Sequence, residues 1–314
     1  MARFALMGAA GYIAPKHLQA IRDIEGDLVA AFDPCDSVGI LDSYFPNTQF
    51  FVEFERFDRF IDKISLNDYS RVDHISICSP NYLHDSHIRF ALKSGANAIC
   101  EKPLVLNPHN LIPLQRLEKE TNQKIFCILQ LRFHSAIVRL KETITAKLLQ
   151  NPDKVFEVDL TYLTSRGPWY SISWKGDPSK SGGISTNIGI HFFDVLIWIF
   201  GEVIDSEVHC HSMSTGTGFV RLKNANVRWF LSIDSTYLEN KKTFRNICVD
   251  GEDLEFSTGF DDLHTRNYIE ILKGNGAGLD DVSPAISLVS KIRNSKLINI
   301  SQNRHFLYNR LSNV

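Results

Sequence analysis

Short apolar runs alternate with amphipathic stretches along the first 130 residues. The apolar runs predict strands at residues 3–7, 28–32, 74–78, 98–100 and 124–129. The stretches between them include 12–22, 84–93 and 107–120, which have the pattern of helices. Strands that are apolar on both faces and separated by helices indicate βαβ units in a parallel sheet.

The pattern changes after about residue 130. A helix is predicted at residues 136–149, and apolar and polar side chains then alternate in runs at 155–162, 203–211, 218–222, 226–232 and 245–249. Alternation favours strands with one open face, as in an antiparallel sheet. The sequence therefore predicts an α/β protein with two domains, residues 1–124 and 125–314, and a large, mostly antiparallel open sheet in the second.

Composition is consistent with this division and excludes several classes of protein. At roughly 150 residues per domain, 314 residues correspond to about two domains. Lys and Arg number 34 against 36 Asp and Glu, and this near balance argues against a polycation built for nucleic acid. No run reaches the roughly 18 consecutive apolar residues of a membrane span. We expect a cytoplasmic protein with neither a nucleic-acid nor a membrane partner.

The six cysteines show no metal-binding or disulfide pattern. They are Cys35, Cys78, Cys100, Cys127, Cys210 and Cys248, and no two have Cys-x-x-Cys spacing. Buried, reduced thiols are therefore the expected state, and no metal site is predicted.

A glycine turn follows the first predicted strand. Gly8 and Gly11, with Tyr12 and Ile13, form a G-x-x-G-x-x-A sequence, which departs from the G-x-G-x-x-G fingerprint of dinucleotide sites. Such a turn lets backbone N–H groups approach a pyrophosphate at a helix N-terminus. Asp33 follows the second strand, where a carboxylate can bind ribose hydroxyls and repel a 2′-phosphate, which favours NAD over NADP. The alternative is an ordinary strand–helix turn followed by a chance Asp.

Two further segments lie at the ends of later strands, where open α/β sheets bind ligands. The first contains Ser79, Pro80, Asn81 and His84, and the second is Glu101-Lys102-Pro103. A lysine fixed between a strand and a proline is unusual for a solvated charge. A Glu-Lys-Pro triplet alone, however, is also typical of a surface turn.

In this order and spacing, the glycine turn, Ser-Pro-Asn-x-x-His and Glu-Lys-Pro resemble the glucose–fructose oxidoreductase, inositol dehydrogenase and MocA family (Gfo/Idh/MocA). The resemblance covers essentially the whole chain. It implies an NAD(P)-dependent enzyme acting on sugars or cyclitols, with an N-terminal Rossmann domain and a C-terminal α/β domain that often forms oligomer contacts. It thereby also implies a homodimer or homotetramer, and cofactor contacts from Glu101, Lys102 and Gln130.

The segment 182–194 leads into an apolar run in which Asn187, His191 and Asp194 are regularly spaced polar residues. If it is helical from about residue 186, Asn187, His191 and Asp194 form one stripe. The structural alternative is that His191 is a core histidine capped by Asp194. The resemblance instead implies that His191 assists Lys102 in moving the proton of the substrate hydroxyl. Asn187 stands where many family members have Asp, which leaves Lys102 and His191 as the proton-handling pair and Asn187 as an orienting residue.

Other segments resemble a particular group within the family. Residues 129–134, 166–170, 173–177, 187–194 and 255–260 are similar to those of bacterial dehydrogenases that oxidise the 3″-hydroxyl of a UDP-linked N-acetylglucosaminuronic acid, on a route to surface polysaccharide (O-antigen) sugars. The predicted substrate contacts are the cations Arg132, Arg166, Lys175 and Lys180 and the aromatic residues Trp169 and Tyr170.

Each of these predicted contacts has a structural alternative. Each cation is also interpretable as a solvated surface charge, and the two aromatic residues can equally serve in packing. At the level of function, the alternatives are another sugar or inositol dehydrogenase of the same family, or a non-catalytic NAD-binding sensor. A sensor needs the cofactor site but no proton acceptor, so the presence of both Lys102 and His191 counts against it.

Overall fold

The chain forms two compact units in the computed structural model, which describes residues 1–66, 70–238 and 241–313. The first unit comprises Met1–Gln130 and Asp261–Ser283, and the second comprises residues 131–260 and the chain from Pro284 onward. The predicted division at 124/125 differs in two ways. Residues 125–130 belong to the first unit, where Ile125–Cys127 form the last strand of its sheet, and a later segment of 23 residues returns to that unit.

The first unit is a parallel sheet with helices packed against it. Its strands are β1 (Arg3–Met7), β2 (Asp27–Phe32), β3 (Gln49–Phe51), β4 (His74–Ile77), β5 (Asn97–Cys100) and β6 (Ile125–Cys127). Its helices are α1 (Ala14–Asp23), α2 (Ile40–Tyr44), α3 (Phe54–Ser65), α4 (His84–Lys93), α5 (Leu111–Thr121) and α10 (Leu263–Leu272). The strand order β3-β2-β1-β4-β5-β6, with every pair parallel, is that of a doubly wound dinucleotide-binding sheet.

The five predicted strands and three predicted helices of this unit are confirmed to within a few residues. Both faces of β1 and β4 are covered, and Phe4, Leu6, Ile75 and Ile77 are fully buried. In β4 the other two residues, His74 and Ser76, are buried as well. α2, β3 and α3 lie between the second and third predicted strands and were not predicted.

The returning segment brings α10 against α1. Tyr268 on α10 is fully buried among core residues that include Phe4 and Leu18. Beyond α10, the backbone N–H of Cys127 in β6 donates to the carbonyl of Ala277 at 2.9 Å. The first unit is therefore completed by residues far along the chain.

The second unit is built on one mixed sheet. Its strands are β7 (Phe156–Thr164), β8 (Val203–His211), β9 (Thr215–Leu222), β10 (Ala225–Ser232), β11 (Thr243–Val249) and β12 (Glu252–Glu255). Its helices are α6 (Ser135–Gln150), α7 (Pro168–Ile172), α8 (Pro178–Ser181) and α9 (Ile190–Phe200), and α11 (Leu279–Asn294) runs from the first unit into it. In the order β12-β11-β7-β10-β9-β8 only β7 and β10 are parallel, which confirms the mostly antiparallel sheet.

The two faces of this sheet differ as the alternation predicts. On one face Arg228 of β10 donates to Asp159 of β7 at 2.7 and 2.9 Å. On the other face Trp229 is fully buried, and Phe193 of α9 meets it edge-on with ring centroids 5.4 Å apart. Helix α9 therefore covers the apolar face.

The helical run Pro178–Phe200 is, among the described residues, the one stretch long and apolar enough to cross a membrane. About four-fifths of its most apolar window (78%) is buried inside the protein. Such burial is typical of a core helix, and a core helix can match a membrane-spanning helix in length and composition.

Candidate active site

The glycine turn lies where strand order reverses, between β1 and β4. Gly8 has φ +92°, and a Cβ there would lie 2.6 Å from the backbone carbon of Cys78 and the nitrogen of Ser79. Its N–H donates to the carbonyl of Phe32 at 2.8 Å. Gly11 closes the turn by donating to the Gly8 carbonyl at 3.1 Å. Only glycine fits position 8, because both the conformation and the space exclude a side chain.

The start of α1 is suited to an anionic ligand. Among the described residues no side chain caps this helix, and Ile13 occupies the N-cap position. Tyr12 is 84% exposed. A helix N-terminus that no side chain caps presents partial positive charge, which a pyrophosphate can neutralise.

Asp33 is held in place at the end of β2. Its carboxylate accepts hydrogen bonds from the backbone N–H groups of Ala10 at 3.0 Å and Cys35 at 2.8 Å. The side chain thereby ties the second strand to the glycine turn. Each carboxylate oxygen has two acceptor positions, so Asp33 can hold the turn and still accept from ribose hydroxyls.

The segment after β4 is tied to the Glu-Lys-Pro segment by His84. This fully buried ring lies with Nδ1 2.7 Å from the carbonyl oxygen of Pro103 and Nε2 2.9 Å from that of Ser79. The Ser79 hydroxyl in turn lies 2.8 Å from His87 Nδ1. Both ring nitrogens of His84 thus face protein carbonyls, so this residue joins the two predicted cofactor segments. Asn81 is buried, and Pro80 is half-buried.

Glu101 is buried at the end of β5, and Lys102 beside it is half-buried. The Glu101 carboxylate lies 3.0 Å from Nε2 of both His17 and His264. Hydrogen bonds from these two imidazoles, opposed by burial, hold the pKa of Glu101 well below its usual range. The backbone N–H of Lys102 also donates to this carboxylate at 3.2 Å. Gln130 begins a 3₁₀ turn after β6.

Sequence reasoning missed His17, His264 and Tyr268. His17 is three residues into α1 and could have been noticed as a polar residue on the buried face of that helix. Nothing in the sequence links His264 or Tyr268 to residue 101, because the contact depends on the return of residues 261–283.

The described residues of the first unit fit NAD. The turn at Gly8, the uncapped start of α1, Asp33, Ser79 and Lys102 all follow the carboxyl ends of parallel strands, which lie at one edge of a sheet. A carboxylate at position 33 suits an unphosphorylated ribose. When bound, NAD would supply the hydride acceptor.

In the second unit, Asn187 lies in a π-helical segment, Ser185–Gly189, that precedes α9. The predicted stripe on one continuous α-helix is therefore corrected, since the wider π turn separates Asn187 from the regular spacing of His191 and Asp194. Asn187 donates from Nδ2 to the phenol oxygen of Tyr170 at 2.8 Å, and both residues are buried. Burial raises the pKa of Tyr170. His191, in the first turn of α9, is half-buried.

Arg132 forms an internal ion pair. Its guanidinium donates to both carboxylate oxygens of Asp194, at 2.7 and 3.0 Å. The side chains are 14% and 3% exposed. The pair fixes α9 against the 3₁₀ turn that follows β6, and it gives the predicted substrate cation a partner within the protein.

The remaining predicted substrate residues lie around α7 and α8. Arg166 and Lys180 are exposed, and Lys180 Nζ lies 3.8 Å from the carboxylate of Asp177. Lys175 Nζ is 4.2 Å from the ring centroid of Trp174 and 5.6 Å from that of Trp169. Trp169 is 48% exposed. Three cations and an open aromatic ring therefore occur within fifteen residues.

All six cysteines are free thiols. Cys78, Cys100 and Cys127 are buried as expected, whereas Cys35 is exposed and the other two are half-buried.

A doubly wound sheet with this glycine turn, Asp33 and a strand-end lysine defines a nicotinamide-dependent oxidoreductase. Comparison with family models supports this class of protein. Residues 2–128 match the oxidoreductase family, NAD-binding Rossmann fold, and residues 141–240 match the C-terminal α/β domain of the same family. The chain belongs to the Gfo/Idh/MocA oxidoreductase family, and its first unit is an NAD-binding Rossmann domain.

Solved structures that resemble the whole chain include two of one enzyme. The WlbA (WbpB) dehydrogenase from Thermus thermophilus in complex with NAD and UDP-GlcNAcA is 46% identical, with a TM-score of 0.93 over 98% of this chain and 100% of that one. The same enzyme in complex with NAD and alpha-ketoglutarate is 47% identical, with a TM-score of 0.92 over 97% and 99%.

A curated relative is more distant. D-glucoside 3-dehydrogenase of Escherichia coli is 28% identical over 145 residues, which are 45% of this chain and 39% of that protein. The match therefore spans well under half of that relative's length.

Proposed function

We propose that the protein oxidises the 3″-hydroxyl of UDP-N-acetyl-2-amino-2-deoxy-D-glucuronate to the 3-keto sugar with NAD, in the biosynthesis of a surface polysaccharide such as O-antigen. The 46% identity to a dehydrogenase that binds NAD and UDP-GlcNAcA, over the full length of both chains, carries the choice of substrate. The departure of Asn187 from the family pattern is consistent with a specialised sugar site.

Lys102 accepts the hydroxyl proton in this proposal, and His191 is its partner. A secondary alcohol loses its O–H proton to a base while the C–H hydride leaves for the nicotinamide, so one proton and one hydride are removed. Lys102 suits the first task because Glu101 accepts from its backbone N–H and thereby fixes its position. Asn187, fixed on Tyr170, orients the substrate.

The anionic parts of the substrate meet cations of the second unit. We assign the uronate and diphosphate to Arg166, Lys175 and Lys180, and a sugar face to Trp169. Arg132 instead fixes α9, because its guanidinium is already engaged bidentately by Asp194.

A second substrate can reoxidise the cofactor. The relative that binds NAD and alpha-ketoglutarate supports a 2-oxo acid in this role. Transfer of the hydride and one proton to the ketone of 2-oxoglutarate gives 2-hydroxyglutarate and restores NAD. The same proposal includes a cytoplasmic homodimer or homotetramer, which light scattering after gel filtration would test.

Single-turnover assays test the function. Protein mixed with NAD and UDP-GlcNAcA should form a 3-keto sugar and reduced nicotinamide in equal amounts, and adding 2-oxoglutarate should yield 2-hydroxyglutarate. Lys102→Met should abolish turnover and retain NAD binding. Oxidation of inositol or a simple glucoside but not of the UDP-uronate would show that the substrate is wrong. NAD binding without oxidation of any of these would favour a sensor.

A further inference from the structure

A buried chain of polar side chains surrounds Glu101 in the first unit. It runs from Ser76 of β4 through Tyr268 and His17 to Glu101, and it ends at His264. The distances are 2.6 Å from Ser76 Oγ to Tyr268 Oη, 2.7 Å from Tyr268 Oη to His17 Nδ1, and 3.0 Å from each imidazole Nε2 to Glu101 Oε1. The exposed fractions of these five residues are all 6% or less.

The direction of each hydrogen bond follows from chemistry. Because Glu101 is an ionised carboxylate, it only accepts, so His17 and His264 both donate from Nε2. Burial lowers the pKa of His17 and keeps it neutral, so its Nδ1 is an acceptor. Tyr268 therefore donates to His17, and Ser76 donates to Tyr268. Every proton in the chain points towards the carboxylate.

The distances in this arrangement are those of a hydrogen-bonded network. His17, Glu101 and His264 have the side-chain types of a metal site, and their ligand atoms lie within 4.8 Å of one another. Each Nε2, however, lies 3.0 Å from the same carboxylate oxygen, which is the ordinary length of an N–H···O bond. A bound ion would place its ligands about 2.0–2.2 Å from itself, and those nitrogens could not then donate to Glu101.

We propose that His264, with His17 and Tyr268, is a positioning residue for Lys102 and acts through Glu101. The imidazole donors fix the carboxylate, and the other carboxylate oxygen, Oε2, accepts the backbone N–H of Lys102 at 3.2 Å. The assignment rests on the proposed role of Lys102 as the proton acceptor. It also gives the returning segment 261–283 a function, since that segment supplies His264 and Tyr268.

Three variants test this positioning. His264→Leu removes the donor, and His264→Gln keeps an N–H group at about the same place. His74→Leu is the matched control, because His74 is also a buried histidine of this unit, stacked on Phe4 at 5.2 Å and outside the hydrogen-bonded chain. The measured quantity is the rate of hydrogen–deuterium exchange of the Lys102 backbone amide, relative to that of the Ile99 amide in β5.

We expect His264→Leu to raise exchange at Lys102 at least tenfold relative to Ile99. It should lower kcat at least tenfold, with KM for the sugar and Kd for NAD within threefold. His264→Gln should stay within threefold of the wild type in exchange and kcat, and His74→Leu should leave the relative exchange unchanged.

Unchanged relative exchange in His264→Leu, or equal losses in the Leu and Gln variants, would overturn the proposal. So would one tightly bound metal ion per chain in elemental analysis of the wild-type protein. The exchange measurement needs no turnover. If the wild type fails to oxidise the UDP-uronate but exchange at Lys102 responds as expected, the proposed function fails and the positioning stands.

Discussion

The side-chain amide of Asn187 donates a hydrogen bond to the phenol oxygen of Tyr170 at 2.8 Å. One residue comes from the buried π-helical segment, and the other comes from α7, seventeen positions earlier. Their burial, with 6% and 4% exposed, makes the pairing specific, because a buried donor needs an acceptor. A carboxylate at position 187 could only accept, so it would reverse the direction of this bond. Asn187 and Tyr170 are therefore matched to each other.

Removing the acceptor should loosen Asn187. We expect Tyr170→Phe to lower the free energy of unfolding by about 1 kcal/mol and to raise KM for UDP-GlcNAcA severalfold, because the amide is no longer oriented. Urea unfolding and steady-state kinetics measure the two effects. Tyr237→Phe is the control, since Tyr237 is also buried in this unit and packs on Phe230. Equal KM values in the two variants would contradict the prediction.

Gly8 should tolerate no side chain. Gly8→Ala combines a positive φ with a Cβ 2.6 Å from backbone atoms that cannot move aside. Gly95→Ala is the matched control, because Gly95 has φ +77° and no atom of the described residues beyond its chain neighbours lies within 4 Å of its Cβ position. We expect Gly95→Ala to cost about 1 kcal/mol in unfolding free energy and Gly8→Ala distinctly more, with NAD binding lost only in the latter. Similar urea midpoints for both variants would show that crowding at Gly8 is unimportant.

Asp33 should set the preference for NAD and also support the turn. In Asp33→Asn one carboxylate oxygen becomes an NH₂ group. That group would point at the backbone N–H of either Ala10 or Cys35, so one hydrogen bond is lost and two donors face each other. We expect a loss of about 1–3 kcal/mol in unfolding free energy. The ratio of kcat/KM for NAD to that for NADP should fall at least tenfold, because the charge that repels a 2′-phosphate is gone. An unchanged ratio would argue against contact with the ribose.

Three buried histidines should make the protein sensitive to mild acid. Burial lowers the pKa of His74, His87 and His305 from 6.5 to about 4. At a pH between 4 and 6.5 these histidines bind protons in the unfolded chain but not in the folded chain. The free energy of unfolding therefore falls as the pH drops from 6.5 towards 4. Each histidine can contribute up to about 3 kcal/mol to this loss. Urea midpoints measured from pH 7.5 to pH 4.5 test the trend.

His305→Gln should reduce that pH dependence. His305 Nδ1 accepts from the backbone N–H of Leu307 at 3.2 Å, and Nε2 lies 3.0 Å from the Thr161 hydroxyl. Protonation would abolish the first bond. Glutamine can keep a donor towards Thr161 without titrating, so the midpoint of the variant should vary less with pH. An identical pH profile in variant and wild type would exclude His305 as a contributor.

The sequence was most informative where one physical cause dominates. Strand β1 and the glycine turn were predictable because a fully buried strand must be apolar and because Gly8 has no room for a side chain. Strands β8 and β10 were predictable from alternation, since one face of their sheet is covered and the other carries groups such as Arg228. Short elements such as β3 have only three residues, too few for a period to be recognised.

The three residues Asn187, His191 and Asp194 could be identified from the sequence pattern. Their hydrogen-bond partners could not. Tyr170 and Arg132 reach them from other elements, and the π turn changes the spacing that an α-helix would give. Side-chain pairing of this kind depends on distances that no local pattern encodes.

The sequence by itself determined the two classes of sheet, the cofactor turn and the acidic residue at 33, because these depend on periodicity and on residues within one strand–helix unit. Its motifs also carried the resemblance to the family, which the family models then showed. The tertiary structure decided that Asp261–Ser283 completes the first unit, that Arg132 pairs with Asp194, and that His17 and His264 converge on Glu101. These contacts join residues 62 to 163 positions apart, and only the folded chain brings them within hydrogen-bonding distance.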